Sequence, residues 1–136
     1  MRVVAAFDFD GTLSTRDNVL PFLRTAVGTA RLRLALAAIT PRLAAAALAG
    51  RSRDGAKAAL ARRTLTGYDA DELAAVAERF ADRVVAKHLR RDAVARVEWH
   101  RGQGHELVIV SASFAVYLEP IARHLGFDAA LGTDLE

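Results

Sequence analysis

The sequence predicts an α/β domain: a parallel sheet of about three strands, with a long helical insertion after the first strand. Three observations carry this. Val3–Ala6 and Leu107–Val110 are short, apolar runs containing β-branched residues, of the kind that fills buried parallel strands. The patterning between them is helical throughout. A third apolar stretch, Phe127–Thr133, follows one further helical segment, so the order reads strand, helices, strand, helix, strand.

The first strand, Val3-Val4-Ala5-Ala6, leads into Phe7-Asp8-Phe9-Asp10-Gly11-Thr12-Leu13. In an open α/β sheet ligands bind at the carboxyl ends of the strands. Residues i and i+2 of a strand share a side, so Asp8 and Asp10 are expected to converge on one point. Two carboxylates held together call for a cation or a shared proton. The other reading of these residues is a solvated Asp-rich turn with Gly11 at its bend. Ser14–Asn18 is a polar loop ending in helix N-cap candidates.

From Val19 to about Ala49 the chain is apolar and alanine-rich, and Gly28, Pro41 and Gly50 are expected to divide it into two or three short helices. Within it Leu34–Ala49 is 16 residues long with Pro41-Arg42 in the middle. That falls short of the roughly 20 apolar residues a membrane crossing needs. A helical hairpin packed on protein is the expectation, with shallow membrane contact the weaker alternative because the polar face is thin and basic. After the polar break Arg51–Gly55, a helix runs from Ala56 to about Leu65, followed by the turn Thr66-Gly67-Tyr68. Asp69 with Glu72 three residues on is a capping-box pattern. Leu73, Val76, Ala77, Phe80 and Val84 then form one apolar stripe.

A helix around Asp92–His100 is expected to end with Gly102 just beyond it. The second strand runs into Ser111-Ala112-Ser113, and a helix over Phe114–Leu125 is closed by Gly126, with Pro120 expected to kink or restart it. A right-handed crossover needs one helix. The surplus between the first two strands should therefore form its own layer over Asp8 and Asp10, like a lid.

Composition narrows the function classes. The 136 residues suffice for one domain, and 52% are hydrophobic, enough for a core. With no cysteine, disulfides and thiolate chemistry are excluded and a reducing compartment fits. No signal-peptide pattern opens the chain, so cytoplasmic is the expected location. The formal charge is +3, and every one of the 19 basic residues except Lys57 and Lys87 is arginine. Nucleic acid is not the expected partner, because the arginines are scattered among acids with few aromatics to stack on bases. Gly50–Lys57 brushes against a phosphate-binding loop but no strand precedes it. His100 and His105 flank a Gly-rich turn while His88 and His124 are scattered, so a zinc site is not expected, and Trp99 reads as helix packing.

Two motifs carry a resemblance. Phe7-Asp8-Phe9-Asp10-Gly11-Thr12-Leu13 resembles the first signature of the haloacid dehalogenase-like (HAD) phosphohydrolases. Leu107-Val108-Ile109-Val110-Ser111-Ala112-Ser113 resembles the second, a strand ending in Ser or Thr. The helical insertion is similar to the cap of the phosphoserine phosphatase-like branch (subfamily IB). The resemblance covers nearly the whole chain. It implies a Rossmann-like core, incomplete here, from 1–14 and 104–136, with a helical cap over 15–103. It also implies Asp8 as nucleophile forming an aspartyl-phosphate, Asp10 as general acid and base, and Mg²⁺ held by the Asp8 carboxylate and the Asp10 carbonyl. Phosphate binding would fall to the Gly11 and Thr12 amides, Ser111 and the Ala112 amide.

For the substrate, the resemblance implies a small phosphorylated metabolite such as phosphoserine. Asp17 would read an amino group and Arg62 or Arg63 a carboxylate. The alternatives stay open: Asp17 as a helix cap, the arginines as a solvated face, Ser111 as an N-cap. The family's later signatures, a Lys and then an acidic pair, are not found. No lysine follows Ser111, and Asp128 and Asp134 lack the required spacing. The expectation is the N-terminal portion of a longer phosphatase, with weak or no turnover in this form. Alternatives are a non-catalytic module binding phosphorylated ligands or a partner chain, and a phosphotransferase using the same Asp. An open sheet edge or the apolar cap offers a route to oligomers.

Overall fold

The computed structural model describes residues 1–50 and 54–135. Three strands, β1 (Val4–Phe7), β2 (Glu106–Phe114) and β3 (Ala129–Thr133), form one sheet in the order β1-β2-β3. Both pairings are parallel, with Val4 opposite Glu106, Phe7 opposite Ile109, and Val110 opposite Leu131. The central strand is therefore the second one. Its alternation places Leu107 and Ile109 in the core.

Between β1 and β2 lie α1 (Val19–Val27), α2 (Thr29–Leu48), α3 (Asp54–Leu65), α4 (Ala70–Lys87) and α5 (Arg91–Gly102); α6 (Ala115–Leu125) links β2 to β3. The first four form the expected helical layer, α1 touching α2, α3 and α4. The fifth does something different. It packs against β2 and the turn after β1, with the His100 ring edge-on to Phe7 at 5.7 Å. The cap expected over 15–103 thus contains one helix that belongs to the layer of the sheet.

Aromatic rings join the two layers. Phe22 on α1 and Phe80 on α4 meet Phe114 at the end of β2 and Tyr117 on α6, with centroids 4.9–6.3 Å apart and mostly edge-to-face. All four are essentially removed from solvent. Such pairs contribute about 0.5–1.5 kcal/mol each beyond the area they bury. The stripe expected on α4 accounts for this contact: Val76, Ala77, Phe80 and Val84 are buried, and Asp69 accepts from the Glu72 amide at 2.9 Å as its cap.

Four expectations are corrected. Pro41 does not interrupt α2, which runs through it. Leu32, Ala35, Leu36, Ile39 and Leu43 keep one packed stripe across the proline, and Pro41 itself stands exposed, so burial on the far side outweighs the lost hydrogen bond. Pro120 likewise leaves α6 continuous, pinned by the buried Tyr117, Leu118, Ile121 and Ala122. Gly102 is the last residue of α5, and it is Gly104 that takes the left-handed conformation, at φ 70°. β2 continues through Ser111–Ser113 to Phe114, with its register against β3 shifting between Val110 and Phe114.

Among the described residues no helix is long and apolar enough to cross a membrane.

Candidate active site

β1 stops at Phe7, so Asp8 and Asp10 lie past the strand rather than on it. Residues 9–13 make one wide turn, which Asp10 (φ −66°, ψ 120°) and Gly11 (φ 73°, ψ −3°) bend out of helical geometry. Only Gly11 meets a conformational demand here, since its φ is in the left-handed region. The alternation of the strand nevertheless continues for three residues: Asp8 is exposed, Phe9 buried and Asp10 half-buried. Phe9 anchors the turn in the core and its two acidic neighbours face away from it.

The two carboxylates are held very differently. Asp8 has one contact, a hydrogen bond from the Thr12 hydroxyl to Oδ2 at 3.1 Å. Asp10 has three. Its Oδ1 accepts from the Asn18 amide at 3.0 Å and from Asn18 Nδ2 at 2.9 Å, and its Oδ2 accepts from the Ser113 hydroxyl. Asn18 and Ser113 are both fully buried. Asn18 Nδ2 also lies 2.9 Å from Ser14 Oγ and from the Arg16 carbonyl, which fixes the amide's orientation.

The sequence singles out neither supporting residue for this role. Asn18 stands where an N-cap is expected, but its side chain is diverted to Asp10. Asp17 does the capping instead, accepting from the Val19 amide at 3.0 Å. Ser113 had a signal: it lies two residues beyond Ser111 on the same strand, so the two share a face. Ser111 is half-buried, and its Oγ accepts from the Ser113 amide at 3.1 Å. β2 extends to Phe114, and the helix expected from Phe114 begins at Ala115. Ala112 is exposed, and its carbonyl accepts from Thr133 Oγ1 on β3 at 3.1 Å.

Two further groups touch the turn. Arg90 Nη1 donates to the Gly11 carbonyl at 3.3 Å, while its backbone amide donates to the Leu13 carbonyl at 2.9 Å. The Thr15 amide donates to the His88 carbonyl at 2.8 Å. The segments leaving and re-entering the core thus pair where they cross, which ties the turn to the helical layer. Tyr117 lies beneath the site; burial, then the Asp10 charge, pushes its phenol up, so it stays neutral.

The substrate-reading residues expected from sequence are not brought together. Asp17 faces Lys57 at 3.7 Å, and both line a cavity of about 520 Å³ between α1, α2 and α3. Arg62 and Arg63 are exposed in the last turn of α3, and neither lines it.

For a cation, no cluster of three or more His, Cys, Asp or Glu side chains occurs among the described residues. The available donors are the exposed Asp8 carboxylate and the Asp10 main-chain carbonyl. Mg²⁺ keeps several waters and commonly takes one or two carboxylates, so this hard-oxygen pair fits a largely hydrated ion.

A family model described as haloacid dehalogenase-like hydrolase matches residues 5–136. Protein CicA of Caulobacter vibrioides is 38% identical over 133 residues, covering 98% of this chain and 59% of its own length. A protein of unknown function from Bordetella pertussis has a similar structure, with a TM-score of 0.72 at 24% identity, covering all of this chain and 62% of that one. A phosphoserine phosphatase solved as a phospho-aspartyl intermediate analogue shares the fold, with a TM-score of 0.58 at 18% identity over 100% of this chain and 58% of that one. The chain thus spans about six-tenths of the length of these relatives.

Proposed function

The chain belongs to the haloacid dehalogenase-like hydrolases, and we propose that it carries the phosphoryl-accepting part of a Mg²⁺-dependent phosphomonoester hydrolase working through an aspartyl-phosphate on Asp8. One observation carries this reading: the unequal anchoring of the two carboxylates. Asp8 is exposed with a single contact, whereas Asp10 is aimed by three donors from Asn18 and Ser113. A nucleophile must be able to reach its target, and an acid–base group must be held in line with the departing or attacking oxygen.

In the proposed reaction an Asp8 oxygen attacks phosphorus, the P–O bond to the alcohol breaks, and Asp10 gives its proton to the departing oxygen. Water then attacks the phosphorus and Asp10 takes its proton. The P–O bond to Asp8 breaks, and phosphate leaves with both carboxyl groups restored. The hydrogen bonds support a division of labour within Asp10. Asn18 presents only N–H groups to Oδ1, so that oxygen stays an acceptor throughout. The Ser113 hydroxyl can donate to an ionised Oδ2 and accept from a protonated one, so Oδ2 is assigned the travelling proton.

The Gly11 and Thr12 amides and the Ser111 hydroxyl would bind the phosphate oxygens. Ser111 Oγ accepts from the Ser113 amide, which leaves its own proton to donate outward. Arg90 supports the same set: the Gly11 carbonyl it holds belongs to the peptide whose N–H is that of Thr12. Mg²⁺ held by the Asp8 carboxylate and the Asp10 carbonyl would offset the negative charge shared by nucleophile and phosphate.

The test is release of inorganic phosphate from 4-nitrophenyl phosphate with Mg²⁺ present, in this chain and in a form extended to the relatives' length. Turnover is expected to be weak in the former and clear in the latter, and to vanish in Asp8→Asn and Asp10→Asn. Undiminished release by Asp8→Asn would sink the reading.

A further inference from the structure

We infer that the cavity beside the site takes the apolar alcohol portion of the phosphate ester, so that the substrate is a monoester of a hydrocarbon-like alcohol rather than of an amino acid. The phosphate part of this inference rests on the phosphatase reading above; the apolar part rests on the cavity.

The walls of the cavity come from three helices. Leu20, Leu36, Ile39, Leu43 and Leu60 line it, and among the described residues its charged lining is Asp17 and Lys57. These two face each other at 3.7 Å, so each is already the other's counter-ion. An amino-acid alcohol would need a free carboxylate for its ammonium group and a free cation for its carboxylate, and the pair offers neither without being broken. A hydrocarbon chain asks nothing of it. At about 520 Å³ the cavity falls within the range of small-molecule sites.

Position ties it to the chemistry. Asp17 and Val19 both line the cavity, and the residue between them, Asn18, holds Asp10 through two hydrogen bonds. The cavity wall and the residue that aims Asp10 are therefore consecutive positions of one chain segment. Charge adds a bias toward anions: α1 and α2 carry the exposed Arg24, Arg31, Arg33 and Arg42 and no acidic residue. An anionic ester would approach that surface with favourable long-range attraction.

The probe is a series of butyl, hexyl and octyl phosphate, with O-phosphoserine as comparator, measured by calorimetric titration and in parallel by phosphate release. Each added methylene is expected to tighten binding about fourfold while it stays inside the cavity, with phosphoserine weaker than all three. Leu20→Asp places a charge on an exposed lining position, so folding is spared, and should flatten the chain-length dependence. Leu34→Asp, on an exposed leucine outside the cavity, should leave it intact. Vesicles of phosphatidylcholine carrying phosphatidic acid separate two sources of the ester. Sedimentation with them, lost in Leu20→Asp, places the ester in a bilayer, and hexyl phosphate binding without sedimentation places it in solution.

If chain length has no effect, or phosphoserine binds as well as octyl phosphate, the inference is overturned. The cavity assignment and the phosphatase reading fail separately. Length-dependent binding without Asp8-dependent hydrolysis would leave the cavity assignment standing and remove the phosphatase reading. Asp8-dependent hydrolysis indifferent to chain length and to Leu20→Asp would do the reverse.

Discussion

Replacing Ser113 by alanine should disturb Asp10 without touching the substrate. The side chain is fully buried behind the site and donates to Asp10 Oδ2. A hydrogen bond to an ionised group nets about 1.5–3 kcal/mol. Asp10 is half-buried and keeps both Asn18 donors, so water can replace part of what is lost, and the lower figure applies. About 1.5 kcal/mol of transition-state stabilisation corresponds to a roughly tenfold fall in kcat/KM. The loss should depend on the leaving group. An alkyl phosphate needs a proton from Asp10 as its alcohol departs, and 4-nitrophenyl phosphate does not. The expected outcome, measured in a form of the protein that turns over, is a tenfold loss on hexyl phosphate and little change on 4-nitrophenyl phosphate. An equal loss on both substrates would mean that Ser113 merely supports the fold. No loss on either would mean that its hydroxyl does not position Asp10.

Three further outcomes follow from the packing and the titrating groups. Gly132→Ala should cost about 1–3 kcal/mol of stability in urea unfolding, because a Cβ there would sit 2.8 Å from the Ser113 carbonyl oxygen and 2.9 Å from the Ala115 nitrogen. An unchanged midpoint would show that β3 can move away from the end of β2. Pro41→Ala should stabilise the chain by up to about 3 kcal/mol, the usual cost of an interior proline, since the position is exposed and the helix already continues through it. A loss of stability there would mean that the proline shapes α2. Stability should also fall as pH drops from about 7 towards 5. Burial first, then the neighbouring cations, lowers His88 and His100 below their ordinary 6.5, so the unfolded chain binds protons that the folded chain resists. His100 and His105 moreover share one N···N contact of 2.9 Å that cannot hold if both rings are charged. Urea midpoints across that range test this, and a pH-independent midpoint would contradict it.

The parts of this structure readable from the sequence are those set by local pattern. β1 and the core of β2 are short apolar runs, and α4 announces itself by its cap at Asp69 and a stripe that ends on Phe80 and Val84. The family resemblance adds Asp8 and Asp10 as a pair. What local pattern misrepresents is settled by tertiary contact. Pro41 and Pro120 read as breaks because propensity sees only the lost hydrogen bond, whereas the buried faces on either side hold both helices together. Asn18 reads as a cap because its alternative partner, Asp10, is eight residues away across a turn. Ser113 and Asp10 are more than a hundred residues apart in sequence, so no window along the chain joins them. Lys57, rather than Arg62 or Arg63, meets Asp17 for a similar reason: which face of α3 turns toward α1 is decided by packing against α2.

The central claim is that phosphorus becomes covalently bound to Asp8. Its most direct measurement is mass spectrometry of peptides from protein quenched in acid during turnover of a phosphate monoester. The expected result is a phosphoryl group on the peptide containing Asp8, absent in Asp8→Asn and accumulating in Asp10→Asn, where 4-nitrophenyl phosphate can still transfer its phosphoryl group but water is no longer activated to remove it. Turnover with no phosphorylated Asp8 peptide, or the group found on another residue, would contradict the account.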